Sequence, residues 1–483
     1  MLLTLCGCAK KATTITTTTK KNTTVLNTTI KELNAPTNIK ITEGIITFDE
    51  LNGLRYCAYV IIDGTEKKYN IKSGFDLSLV LDYGKYSLKM TAFDDDLESK
   101  KSEEIMFEII DANIKNKIKE IDLTNPMYVN WDGRNYYNEK AKRNYFYYTA
   151  SGFKVSFYGT KLDATLYSNN VTLDNCVYIA VLVDGEVYPE GKVIALNKGL
   201  TAIYTLAQNL DEGFHSIQVI KRSEAIDNTA ALIDLSCDGY FTTPNQDNDR
   251  KVLIIGDSFT AGFGNLTSSP TDTKTARNSD GLKSFMYLTA RMFNADVEEI
   301  SLSGWGVRWG YNVHNDGTIN VPYLFNYVGI TNQDPVIIPY ATTEFEPDLI
   351  LYFLGLNDFY AKINITNKEV EKQKYIKEFQ ESTEAFLRKL HTTYSNAKFV
   401  LPYDSLINQS LPGYYVKDVV NKLNLEFNGI YHLLDCSSGI VASDGLGASN
   451  HPRVITSIKI SEIIKEEVKK VMGWQTVYNN ITE

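Results

Sequence analysis

The chain has 483 residues, 43% of them hydrophobic and 22% charged, which excludes a long disordered or collagen-like polymer and, at roughly 150 residues per domain, leaves room for about three domains. Its 49 Lys and Arg against 59 Asp and Glu give a net charge of −10, which argues against non-specific nucleic-acid binding, a property of clustered cations, and suits a neutral substrate. The 31 Tyr and 21 Phe stand beside only 12 Pro, and such a surplus fits either aromatic-rich β-sheets or platforms for flat ligands such as sugars.

Residues 1–8 read MLLTLCGC. Leu5-Cys6-Gly7-Cys8 resembles a bacterial lipoprotein box, so Cys8 is the expected lipidation site of a signal remnant. Residues 9–34 are rich in Thr and Lys and cannot bury a core, so they read as a solvated linker. No run of about 20 apolar residues occurs, so any membrane contact is expected only through the lipid anchor. None of the six cysteines forms a CxxC pair. No zinc or redox motif is therefore expected, and Cys57, Cys176, Cys237 and Cys436 read as small apolar residues.

From 35 to 110, short apolar alternations are broken by turn residues such as Asp63-Gly64, the pattern of a fibronectin III or immunoglobulin-like β-sandwich. Polar residues 111–120 read as a boundary. Residues 121–245 alternate again, with turns at Gly152, Gly159, Asp184-Gly185 and Gly213, and predict a jelly-roll domain. The five tyrosines at 136, 137, 145, 147 and 148 fall here, where sheet packing explains them. Residues 244–250 form a polar linker. From 251 to 473 the period changes: buried runs at 252–255, 299–302, 349–354, 399–402 and 432–434 alternate with helical stretches. The expectation is a doubly wound α/β/α domain with a five-stranded parallel sheet and its site at the carboxyl ends of the strands.

The first of these strands ends in Gly256-Asp257-Ser258. A serine there is exposed as a nucleophile must be, although Thr260 excludes the Gly-x-Ser-x-Gly elbow. The second strand leads to Gly304, and the third to Gly355, Asn357 and Asp358. A glycine N–H and an asparagine amide are donors suited to an oxyanion. Of five histidines, His451 stands just before the last helix, late in the chain as a base is expected.

Ser258, Gly304, Asn357 and His451 resemble the four block residues of the SGNH (GDSL-like) hydrolases. The segments GDSFTAGFGN, SLSGWGVR, EPDLILYFLGLNDF and DGLG-x-x-x-HP, with VIKRSEA upstream at 219–225, are similar to carbohydrate esterase family 2, over residues 121–473. The resemblance implies removal of O-acetyl groups from cell-wall xylan or mannan, with no metal or other cofactor. Ser258 would attack the acetyl carbonyl and His451 would take its proton. The N–H groups of Ser258 and Gly304 and the Asn357 amide would hold the oxyanion. The family's acidic partner of the histidine is missing, since Ala448, Ser449 and Asn450 precede His451. A Ser–His dyad oriented by a backbone carbonyl is favoured, with Asp444 as the alternative acid. Trp305, Arg308 and Trp309, with Tyr311 beside them, are the expected sugar contacts. The implied partner is an acetylated polysaccharide or oligosaccharide met by a monomer outside the cell or at its surface. An esterase for another acylated glycan or a lipid, and a non-catalytic carbohydrate-binding surface protein, are the competing readings.

Overall fold

The computed structural model describes residues 33–478 apart from 52–53, 63, 82–83, 95–96, 110–119, 126–127, 243, 245–247, 333 and 404–410. Cys8, nearly all of the 9–34 linker, Asp63 and most of the 111–120 boundary lie outside the described residues.

Two β units precede an α/β unit, as expected. In the first, strands Lys40–Thr42, Ile45–Thr47 and Phe75–Asp76 form one sheet, and Arg55–Ile62, Thr65–Ile71, Gly84–Asp94, Leu97–Glu98 and Ile105–Ile109 form the other. Alternation decides the faces: Lys68 and Asn70 are exposed while Tyr69 and Ile71 enter a core with Ile46, Val60 and Met90. Phe214 and Tyr240 of the second unit join that core, with Phe214 edge-on to Phe75 at 4.5 Å.

The second unit packs a five-stranded sheet on a six-stranded one, all antiparallel. The five-stranded order is Asn135–Asn138, Arg143–Phe146, Ala230–Cys237, Leu162–Ser168, Thr201–Ala207. Leu162, Ala164 and Leu166 point inward from it to meet Val155, Phe157, Ile179 and Val219. Arg134 locks this unit to the next: it pairs with Glu298 at 3.0 Å, both side chains fully buried, and also donates to the carbonyls of Phe325 and Tyr327.

The third unit has five parallel strands, here β1 (Lys251–Asp257), β2 (Asp296–Leu302), β3 (Leu349–Tyr352), β4 (Lys398–Tyr403) and β5 (Tyr431–Asp435), in the order β2-β1-β3-β4-β5. Helices α1 (Phe285–Met292) and α4 (Val454–Met472) cover one face, and α2 (Glu369–Thr393) and α3 (Leu411–Glu426) the other. Both faces are covered, so β1 and β3 are mostly apolar, while β2 carries the buried Glu298 and Glu299 among its apolar residues. Val252 and Ile254 meet Ile460, Ile464 and Val468, while Leu253 and Ile255 meet the layer of Phe386 and Leu387. An antiparallel hairpin of Tyr327–Thr331 and Asp334–Pro339, which the alternation did not predict, stands between β2 and β3. Among the described residues no helix is long and apolar enough to cross a membrane.

Candidate active site

Three adjacent strands deliver the site. β1 ends at Asp257, so Ser258 is the first residue past the sheet. β2 leads through Ser303 to Gly304, and β3 through Gly355 to Asn357. His451 comes from the turn before α4, and its Nε2 lies 2.7 Å from Ser258 Oγ.

The other ring nitrogen of His451 decides the tautomer. Nδ1 lies 3.0 Å from the Ala448 carbonyl and 3.2 Å from that of Ser449. Two carbonyl acceptors require the proton on Nδ1, which leaves Nε2 to accept from the serine hydroxyl. Ser449 and Asn450 both take positive φ, 51° and 63°, a costly turn for residues with side chains that aims these carbonyls at the ring. The alternative acid is corrected here: both Asp444 oxygens accept from Lys459 Nζ, at 2.7 and 2.6 Å, and its carbonyl accepts from Arg453. The nearby cation claims that carboxylate. The His451 ring is stacked on Phe263 at 4.1 Å and meets Phe259 edge-on at 5.1 Å. Burial between them lowers its pKa to about 4, against the raising effect of the two carbonyls.

On the oxyanion side, Gly304 has φ +83°, and a Cβ there would lie 3.1 Å from the Tyr311 carbonyl. Its own carbonyl accepts from Tyr311 N–H at 2.7 Å, closing the loop. Asn357 Nδ2 donates to the Trp305 carbonyl at 2.9 Å, which orients the amide. Asp358 organises the same loop. Its Oδ1 accepts from Arg308 and Trp309 N–H, both at 2.7 Å, and its Oδ2 from Val307 N–H at 2.9 Å. The carboxylate comes so close that a Cβ on Gly306 would lie 2.3 Å from Oδ2. Burial raises the Asp358 pKa to about 6, although three N–H groups oppose the shift.

The expected sugar contacts are corrected in part. Trp305 is 1% exposed and Trp309 3%, and both belong to the core between the sheet and α2. Asp358 turns their loop inward. Arg308 is half-buried, with its guanidinium on the Gly317 carbonyl at 3.2 Å. Tyr311 is 48% exposed and edge-on to Tyr360 at 6.3 Å.

Sequence reasoning missed a buried ionic cluster behind the site. Glu224, fully buried, accepts from Ser303 N–H at 3.0 Å and Ser303 Oγ at 2.8 Å. Lys274 lies 2.7 Å from Glu224, also pairs with Asp227, and sits 5.4 Å from the Phe263 ring centre. Lys221, pushed down to about 7 by burial, donates to the carbonyls of Ser223 and Glu224. The signal was present in VIKRSEA: charged residues continuing a strand whose other residues enter the core.

Residues 131–244 match the carbohydrate esterase 2 N-terminal family, and residues 252–433 the GDSL-like lipase/acylhydrolase family. The chain is 24% identical over 333 residues to the cellulase/esterase CelE of Acetivibrio thermocellus, covering 68% of this chain and 38% of that protein. It is 26% identical over 216 residues to the acetylxylan esterase / glucomannan deacetylase of Cellvibrio japonicus, covering 43% of this chain and 57% of that one. The chain thus spans less than two thirds of the length of either relative. Among solved structures, a family two carbohydrate esterase from Clostridium thermocellum in complex with cellohexaose superposes with TM-score 0.61 at 22% identity, over 72% of this chain and 100% of that one. The family two esterase from Cellvibrio japonicus gives 0.60 at 22%, over 74% and 98%. These two likenesses establish the shared fold.

Proposed function

We propose that the chain, whose residues 131–244 and 252–433 match the carbohydrate esterase 2 N-terminal and GDSL-like lipase/acylhydrolase families, is a carboxylic ester hydrolase that removes O-acetyl groups from plant cell-wall polysaccharide of the xylan or mannan type. The observation that carries the mechanism is the 2.7 Å contact between His451 Nε2 and Ser258 Oγ at the carboxyl edge of the sheet. His451 takes the hydroxyl proton as Ser258 Oγ attacks the acetyl carbonyl. The N–H groups of Ser258 and Gly304 and the Asn357 amide receive the oxyanion, each donor contributing about 3 kcal/mol to the transition state. The intermediate collapses with the sugar oxygen leaving, and that oxygen takes its proton from the His451 imidazolium. Water then attacks acetyl-Ser258 by the same path, releasing acetate. The Ala448 and Ser449 carbonyls do the orienting that a carboxylate does in a triad.

The substrate reading draws on the relatives, one named an acetylxylan esterase / glucomannan deacetylase and another solved with cellohexaose. A polymer of the plant wall is met outside the cell, which agrees with a surface protein held as a monomer by lipid on Cys8 through the 9–34 linker. Acetate release from acetylated xylan, acetylated glucomannan and an acetylated bacterial glycan tests the proposal, with Ser258→Ala as the inactive control. Release from neither plant polymer overturns the substrate. Faster cleavage of nitrophenyl octanoate than of the acetate overturns the acyl group.

A further inference from the structure

The outward face of the five-stranded jelly-roll sheet carries a row of tyrosines in register. Tyr136 pairs with Tyr145, Tyr145 with Ala231, and Ala231 with Tyr167, across four neighbouring strands. Their sequence neighbours Phe146, Ala230, Leu232 and Leu166 point the other way, into the core. Core packing of the jelly roll accounts for one face of these strands; on the other, Tyr136 and Tyr145 lie half-buried against the core of the α/β unit, together with Val336 and Ile338, and with Tyr167 they still line an open recess.

The row forms a recess. Ala231 is small and buried, so it makes a floor between Tyr145 and Tyr167. The Tyr145 ring lies near-parallel to Tyr147, 15° apart, and stands edge-on to Tyr167 with centroids 6.0 Å apart. A pocket of about 290 Å³ opens here, with the side chains of Asn138 and Asn169 on its wall and Val336 and Ile338 of the hairpin closing one side. That volume lies at the low end of small-molecule sites, roughly 300–1,000 Å³, and suits a single sugar ring.

Its chemistry is that of a sugar site. The hydroxyls of Tyr136, Tyr145 and Tyr167 have no hydrogen-bond partner among the described residues. Asn138 spends its Oδ1 on Ala141 N–H and Asn169 its Oδ1 on Thr229 N–H, so each keeps an amide NH₂ to offer. Ring faces and free neutral donors and acceptors together match a pyranose, which has C–H faces and equatorial hydroxyls. No charged side chain is among the lining residues, and Arg143 spends its guanidinium over the Tyr167 ring at 4.8 Å, which favours a neutral ligand.

We infer that this tyrosine-lined recess is a second, non-catalytic binding site for a neutral glycan, holding a sugar of the polymer whose acetyl groups are removed at Ser258. The inference rests on the carbohydrate substrate proposed above. It makes the jelly roll an anchor that keeps the esterase on its polymer.

The test uses the full chain and Tyr145→Ala and Tyr167→Ala, measured by affinity electrophoresis in soluble xylan and glucomannan. Each variant should bind the retarding polymer about tenfold more weakly or worse, a change of one aromatic contact's size, while hydrolysing nitrophenyl acetate at the wild-type rate. Wild-type retardation of both variants overturns the inference, even if the polymer is deacetylated normally. Deacetylation of neither polymer by the wild type instead overturns the substrate reading on which the site rests. Should a Tyr→Ala variant lose nitrophenyl acetate hydrolysis, Tyr145→Phe and Tyr167→Phe keep the rings and remove only the hydroxyls. Retardation weakened about threefold, the worth of one hydrogen bond, then supports the site, and unchanged retardation refutes it.

Discussion

Glu224 accepts both the main-chain N–H and the hydroxyl of Ser303, so a side chain of the jelly-roll unit holds the residue immediately before Gly304. The same carboxylate pairs with Lys274, which reaches Phe263, the ring stacked on His451. One buried group thus touches the supports of both the oxyanion donors and the base. Glu224→Gln keeps the shape but turns one oxygen into a donor and leaves Lys274 only Asp227. Turnover of an acetyl ester should fall about 100-fold with KM little changed, because small misplacement of such donors costs that much. Ser303→Ala removes one of the two bonds and should cost about tenfold or less. Wild-type turnover in Glu224→Gln would show that the contact only packs the two units together.

The orienting carbonyls of Ala448 and Ser449 make a second prediction. Asp444 is engaged by Lys459, so Asp444→Asn should leave turnover within about threefold and cost roughly 1 kcal/mol of stability, the worth of a partly exposed ion pair. His451→Ala should lower turnover by at least about 10⁴-fold. A thousandfold loss in a folded Asp444→Asn protein would defeat the dyad.

Much of the site could be read in the sequence because strand ends announce themselves. Ser258, Gly304 and Asn357 each follow a run of buried residues, apolar in β1 and β3 and mixed in β2, and the doubly wound topology forces such positions to one edge. What could not be read depended on the path of loops. Trp305 and Trp309 looked like sugar contacts until Asp358, collecting three N–H groups, turned their loop into the core. Glu224 lies 79 residues from Ser303, and no local pattern pairs a jelly-roll carboxylate with a loop of another unit. The hairpin at 327–339 was missed because Pro335 and Pro339 interrupt its alternation. The tyrosines read as packing residues do pack, since Tyr147 and Tyr148 are buried and Tyr136 and Tyr145 lean on the α/β core, but the register that aligns Tyr136, Tyr145 and Tyr167 in one row is not visible in a single strand.

The pH dependence follows from His451. The reacting form is the neutral imidazole, so activity is present above its folded pKa and lost as pH falls through it. Burial between Phe259 and Phe263 lowers that pKa from 6.5 to about 4. The acid limb of kcat/KM for an acetyl ester should therefore be centred well below 6.5, near 4. The unfolded chain binds the proton more readily than the folded one, so stability should also decline as pH drops from 6.5 towards 4. Acetate release followed against pH checks the first statement, and an acid limb centred at 6.5 or above would refute it.

The aromatics after Gly304 divide by exposure. Trp305 packs in the core at 1% exposure while Tyr311 is 48% exposed. Trp305→Ala should act on folding, destabilising by about 3–5 kcal/mol in denaturant unfolding. Tyr311→Ala removes little buried surface and leaves Gly304 held by the main-chain bond from residue 311, which any side chain permits. Its effect should be on KM for acetylated oligosaccharide, raised about fivefold to tenfold, with kcat for nitrophenyl acetate unchanged. An unchanged oligosaccharide KM would mean that Tyr311 and Tyr360 stack only on each other, and that the sugar next to the scissile ester is gripped by groups other than this ring.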